Sequence, residues 1–131
     1  LTNADKEMIG VVVSSINCCS YCLTTHGDAL RGYTKNPMLV DKLSYNFRSA
    51  KPLLTEKQYA LCEYAWYVTK HPDEIDETQI ENLRKVGFND HEILEAAFVA
   101  GFFNYTNRWV STIAPVANPG HFSHNRNFDK D

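Results

Sequence analysis

The stretch Met8-Ile9-Gly10-Val11-Val12-Val13-Ser14-Ser15-Ile16 decides the fold. Three successive valines invite a strand, because β-branched side chains suit a pleated surface. No apolar–polar alternation accompanies them, however, and the run is apolar on nearly every face, the mark of a helix buried all round. The residues before it, Thr2-Asn3-Ala4-Asp5-Lys6-Glu7, supply small polar cap candidates and acids for a first helical turn. The reading is therefore a helix that runs through the core.

The next stretch, Asn17-Cys18-Cys19-Ser20-Tyr21-Cys22-Leu23-Thr24-Thr25-His26, carries the densest chemistry of the chain. A second helix is expected from about Cys19 to Arg31, with Gly32 suited to its end. Asn36-Pro37 starts a third, which fades near Phe47, and Ser49-Ala50-Lys51-Pro52 reads as a loop. Thr55-Glu56-Lys57-Gln58 caps a fourth helix, which stops before His71-Pro72. Asp76 to Gln79 starts a small fifth helix closed by Val86-Gly87-Phe88. Asn89-Asp90-His91-Glu92 is a capping box for the longest helix, Asp90 to about Thr112, whose middle (Ala96 to Phe103) reads as apolar and buried. From Pro115 to Asp131 no periodicity survives, and this part reads as a tail or arm. The expected fold is all-α, a bundle of about six helices.

Composition narrows the function classes. A chain of 131 residues with 44% apolar and 22% charged residues suits one domain with one core. A net charge of −3 without a basic stripe argues against nucleic acid as a partner. No apolar run is long enough to span a membrane; the longest, Met8 to Val13, is broken by Gly10. Three of the four cysteines crowd into five residues, unlike a secreted disulfide scaffold, so a cytoplasmic redox or metal motif is expected. The chain opens on Leu1 already inside a helical pattern, which suggests residues missing before it.

Cys19, Cys22 and His26 are spaced by three and four residues and so share one helical face. Both cysteines fall in the expected first turn, where the helix dipole favours thiolate, with pKa values of ~3.5–7.5 typical of such sites. His26 lies one turn beyond Cys22 and can act as base for a thiol or acid for a leaving alkoxide. This outlines a two-cysteine peroxidase: one thiolate attacks peroxide, the other thiol closes a disulfide, and an external dithiol reopens it. If the first two helices pair antiparallel, Glu7 stacks behind His26 and His26 behind Cys22. Burial of that first helix should also raise the Glu7 pKa.

Plainer readings stand beside these. The thiol pair can be core packing, and Glu7 can be a first-turn surface acid or a partner for Arg31. Tyr21 points away from the Cys–Cys–His face and suits packing; Cys18 and Cys62 also read as packing. A protein dithiol–disulfide reductase uses the same thiols. A zinc-stabilised module would need Cys19, Cys22 and His26 plus His121 or His124, and ranks below redox chemistry because those histidines sit in the tail. His71 and His91 read as ordinary helix-end residues, and Asn104 and Arg108 as hydrogen-bonding groups for an interface.

These residues resemble a known family. Glu7, Cys19-Ser20-Tyr21-Cys22 and His26, with Ala29-Leu30-Arg31 following, are similar to the active-site core of the carboxymuconolactone decarboxylase / alkylhydroperoxidase D (AhpD-like) superfamily. Gly87-Phe88-Asn89-Asp90-His91-Glu92-Ile93-Leu94 and Phe102-Phe103-Asn104-Tyr105-Thr106-Asn107-Arg108 resemble the C-terminal half of its peroxidase-related branch. The resemblance implies an AhpD-like domain over residues 1–116, without the additional N-terminal helices usual in the family, and a tail or oligomerisation arm over 117–131. It implies hydroperoxide reduction with Cys22 as the peroxidatic thiol, Cys19 as the resolving one, and a Cys19–Cys22 disulfide. Glu7 and His26 would form the proton relay. It implies an external dithiol or disulfide reductase as electron donor, no cofactor or metal, and a homo-oligomer, hexameric or else trimeric or dimeric. One residue departs from the pattern: Tyr21 stands where the best-known peroxidase members carry a second histidine. A phenol with pKa near 10 makes a weaker relay or a modulator.

Overall fold

The structure is a computed structural model that describes residues 1–127. Among these residues it has six α-helices, two short 3-10 helices and no strand. Helix α1 (Asn3–Ile16) is capped by Thr2, whose hydroxyl accepts from the Asp5 amide while the Asp5 carboxylate accepts from the Thr2 amide. Its residues Met8 to Ser14 are all buried, and α2 (Ser20–Thr34), α3 (Pro37–Tyr45), α4 (Glu56–Lys70) and α6 (Asp90–Ile113) pack around it. The valine run is therefore a central helix, satisfied internally in its hydrogen bonds and apolar on all sides.

Gly10 sets how closely α6 can cross α1. A Cβ there would run into the Phe103 ring, so only glycine lets that ring sit against the α1 backbone. Helix α5 (Glu77–Lys85) packs on α4 and α6 and closes the far side. Thr55, Asp76 and Asn89 each form a capping box, and Gly87 reverses the chain between α5 and α6 with φ of 102°. Cys62 is wholly buried in the core, and that burial pushes its thiol up to about 12.

Three local expectations are corrected. The second helix does not stop at Gly32; it continues to Thr34 and ends on Lys35, which adopts the left-handed conformation itself. The segment around Ser49-Ala50-Lys51-Pro52 is a 3-10 helix (Phe47–Leu53), because Asn46 caps it and Phe47 and Ala50 anchor it in the core. The middle of α6 is buried on one face alone. Phe98 is 69% and Phe102 62% exposed, and Leu94, Tyr105, Trp109 and Ile113 extend that exposed stripe. The opposite face, with Ala96, Ala100 and Phe103, packs inward.

The chain after α6 leaves the helix through Ala114, in a left-handed conformation, and folds back onto α2. The buried Asp28 carboxylate accepts from His121 Nδ1 (2.7 Å), His124 Nδ1 (2.9 Å) and Asn125 Nδ2 (2.9 Å). The buried Arg31 guanidinium donates to the backbone carbonyls of His121, Phe122 and His124. Arg126 reaches Asp41 on α3 at 2.9 Å. Residues 128–131 of the expected tail lie outside the described residues. No helix among the described residues is long and apolar enough to cross a membrane.

Candidate functional site

The site is made by the turn between α1 and α2. The Cys18 amide bonds the Ser15 carbonyl and the Cys19 amide bonds the Ser14 carbonyl, with Cys18 at φ of 52°. This is the Schellman arrangement, with cysteine where glycine is usual. Cys18 is exposed, which corrects the reading of it as a packing residue. The turn sends α2 back along α1 and leaves Cys19 as the N-cap of α2, with Cys22 in the first turn.

The antiparallel pairing brings Glu7 and His26 together. His26 Nδ1 lies 2.7 Å from Glu7 Oε2. A carboxylate only accepts, so Nδ1 carries the proton and Nε2 is left for other partners. The Phe103 ring packs perpendicular to the imidazole, with ring centroids 4.7 Å apart. Arg31 turns to the tail carbonyls and is not the partner of Glu7. The Glu7 side chain is 24% exposed and that of His26 31%, so both are part-buried.

The thiols are more deeply buried than the histidine. Cys19 and Cys22 are free and 2% and 1% exposed, in a cluster with Val110 and the half-buried Tyr21. Burial pushes the Cys22 thiol up to about 11, helped by the neighbouring Cys19 thiol and opposed by the Asn107 amide. The expectation of a thiolate favoured by the helix N-terminus is thus reversed at Cys22. The dipole of one helix end does not offset removal from water. A buried thiol of this kind needs a base. Tyr21 is also relocated, since it packs on the thiols and does not face away from them.

Behind the thiols runs a polar network that the sequence reading did not assemble. Asn17 Nδ2 donates to Asn104 Oδ1 (2.9 Å) and Asn107 Oδ1 (3.1 Å), and Asn107 Nδ2 donates to Ser14 Oγ (3.1 Å). Asn104 Nδ2 donates to the Ala100 carbonyl and to Thr69 Oγ1. Asn104 therefore points inward, not across an interface, while Arg108 is exposed. The signal for Asn107 was faint: a polar residue at helical spacing between the core positions Phe103 and Val110.

A pocket of about 510 Å³ opens beside the turn, lined by Cys18, Cys19, Tyr21, Val110 and the segment from Ala114 to Pro119, with Phe122. Cys22 is not among its lining residues. The tail thus roofs the cysteine turn. His121 and His124, considered as zinc ligands, spend their Nδ1 atoms on Asp28 and are not gathered with the cysteines. Among the described residues no group of three or more His, Cys, Asp or Glu is placed to hold a metal ion. His71 and His91 stay near helix ends, His71 beside Glu74 at 3.5 Å.

No family profile and no curated protein matches the chain. Solved structures do. An uncharacterized peroxidase-related protein from Silicibacter sp. shares 42% identity and a TM-score of 0.92 over 96% of this chain and 65% of its own. A peroxidase-related protein from Ralstonia eutropha, described as an alkylhydroperoxidase AhpD core, shares 35% identity and a TM-score of 0.92 over 97% of this chain and 66% of its own. A protein of unknown function from Agrobacterium tumefaciens, provisionally assigned to AhpD-type antioxidant defence, shares 26% identity and a TM-score of 0.79 over 90% of this chain and 80% of its own. The chain spans just under two thirds of the length of the first two.

Proposed function

We propose that this chain, which belongs to the AhpD-like superfamily in its peroxidase-related branch, is a thiol-dependent hydroperoxide reductase that works through Cys22 and Cys19. The observation that carries the reading is the 2.7 Å contact of Glu7 with His26 across two helices, one turn from a buried thiol that needs a base.

In the proposed cycle His26, oriented by Glu7, takes the Cys22 thiol proton through its Nε2 side, directly or through a water. The thiolate attacks the peroxide; a sulfur–oxygen bond forms as the oxygen–oxygen bond breaks, leaving a sulfenic acid on Cys22 and an alkoxide. The alkoxide takes the proton back from His26 and leaves as the alcohol. The Cys19 sulfur then attacks Cys22, the sulfur–sulfur bond closes, and water departs with the Cys19 proton. An external dithiol reopens the disulfide by exchange and is itself oxidised. The pocket against Cys19 is where that dithiol would reach the disulfide. Tyr21, packed against the cluster that holds both thiols, is a modulator.

The same reading includes a homo-oligomer, hexameric or else trimeric or dimeric, joined through the exposed α6 stripe of Leu94, Phe98, Phe102, Tyr105, Trp109 and Ile113. Such a continuous apolar face is unusual on a free surface. Its mass in solution tests this part.

Hydroperoxide consumption with a dithiol donor tests the chemistry. Wild type should turn over and lose two thiols per chain after one peroxide addition, recovered by the dithiol. Cys22→Ser should be inactive. Equal rates for the two proteins would refute the reading.

A further inference from the structure

We infer that the buried Asn107 side chain is the hydrogen-bond donor that holds the Cys22 sulfur as negative charge develops on it, aimed there by Asn17 and Ser14. This rests on the reading that Cys22 is the reacting thiol.

The polarity of the network fixes which end of the Asn107 amide meets the sulfur. The Ala100 carbonyl can only accept, so the group of Asn104 that bonds it at 2.9 Å is the NH₂. Asn104 Oδ1 then faces Asn17 and must accept, so Asn17 presents its NH₂. That same NH₂ points at Asn107 Oδ1 (3.1 Å), so the Asn107 oxygen is taken up. What remains is its NH₂: one hydrogen goes to Ser14 Oγ at 3.1 Å, and the other is uncommitted, in an amide close enough to Cys22 to hold its pKa down. A single backbone carbonyl thus orients three amides in series and leaves one N–H of the last of them for the thiol.

Burial makes the arrangement consequential. Asn107 is 1% and Ser14 0% exposed, so water does not compete for either. Away from water a preorganised donor stabilises charge more than in solution, because it need not reorient as the charge appears. The titratable groups near Cys22 are Cys19 and Tyr21 beside it, and His26 on the same helix with Glu7 of α1 behind it. From α6 the neighbours are Asn107 and Val110, neither of which titrates. Asn107 is therefore a fixed dipole among movable protons. The division of labour follows: His26 removes the proton and Asn107 steadies the sulfur that is left.

The test is the pH dependence of Cys22 alkylation by iodoacetamide, in the full chain with Cys18→Ser and Cys19→Ser so that Cys62, wholly buried, is the other thiol. Removing a hydrogen bond to a charged group by Asn107→Leu should slow alkylation at neutral pH by about 10- to 100-fold and move the profile to higher pH. Asn107→Asp keeps the acceptor for Asn17 and replaces the donor by a carboxylate; it should move the profile further in the same direction. Ser14→Ala leaves the amide but loosens its aim, with a smaller shift of the same sign. It decides the matter if the Asn107 variants do not fold. Profiles that superimpose on the parent, or an Asn107→Asp shift to lower pH, would overturn the inference. Hydroperoxide turnover by wild type is scored separately. If turnover is absent while the alkylation shift stands, the proposed function fails and the donor role survives. If turnover is present without the shift, the reverse holds.

Discussion

Among the described residues, two carboxylate–histidine arrangements with contacts under 3 Å do different things. Glu7 meets His26 at 2.7 Å, and Asp28 meets His121 at 2.7 Å and His124 at 2.9 Å. All three histidines use Nδ1. The difference lies in saturation and in what stands behind each ring. Burial alone would raise the Asp28 carboxyl, but the hydrogen bonds from His121, Asn125 and His124 outweigh it and hold its pKa below the ordinary carboxylate value. Its lone pairs are taken up in clamping the tail. Glu7 serves one imidazole, and that imidazole has a thiol one turn away and an aromatic edge at its back. A carboxylate–histidine contact is therefore no sign of catalysis in itself; the Asp28 arrangement is a clasp, and the Glu7 arrangement is the proposed relay.

The sharpest way to break this comparison is to neutralise each carboxylate in turn. Glu7→Gln keeps the shape and removes the charge behind His26. It should lower the rate of peroxide reduction by about 10²-fold or more, with the melting temperature little changed. A variant with full activity would make the pair merely structural.

Asp28→Ala should do the opposite. It removes the acceptor of three side chains and leaves the Arg31 cation buried, weakening tail docking by about 3 kcal/mol. Limited proteolysis should then cut within the segment from Ala114 to Asn127. Acid should mimic the variant. A carboxyl whose folded pKa is lowered adds stability above its unfolded value near 3.8, and that stability is lost as pH falls further. The clasp should therefore hold at pH ~5 and open only in more acidic solution. A tail that stays protected in Asp28→Ala would dissolve the distinction between the two sites.

Gly10→Ala refines the comparison on the relay side. The added methyl meets the Phe103 ring, which must give way, at a cost of about 1–3 kcal/mol by analogy with overpacked cores. Because Phe103 backs His26 and not the tail histidines, the His26 resonance should move in an NMR titration while those of His121 and His124 stay put. Movement of all three histidines, or of none, would show that the ring does not hold the relay.

Much of this architecture was open to inspection in the chain itself. Helix starts at Thr2, Thr55, Asp76 and Asn89 are set by side chains that bond amides three residues away, and such contacts are written in consecutive letters. The Glu7–His26 meeting was also within reach, since two adjacent helices joined by a short turn leave little freedom in their stacking. Chain ends of helices were less legible. Lys35 and Cys18 take left-handed conformations that glycine would have announced, and neither letter does. The exposed stripe of α6 was misjudged because an apolar residue in a sequence does not state which neighbour covers it.

Local hydrogen bonding and spacing along one helix thus settled the all-α class and most helix limits, because each involves residues within about one turn of one another. Tertiary structure alone decided the state of the thiols and the company they keep. Desolvation of Cys22 is a sum over atoms from several helices, and it outweighed the local helix field that spacing had predicted. Ser14 and Asn107 stand 93 positions apart, and Asp28 and His121 likewise. Nothing in the intervening letters brings them together; the crossing of α6 over α1 and the return of the tail onto α2 do.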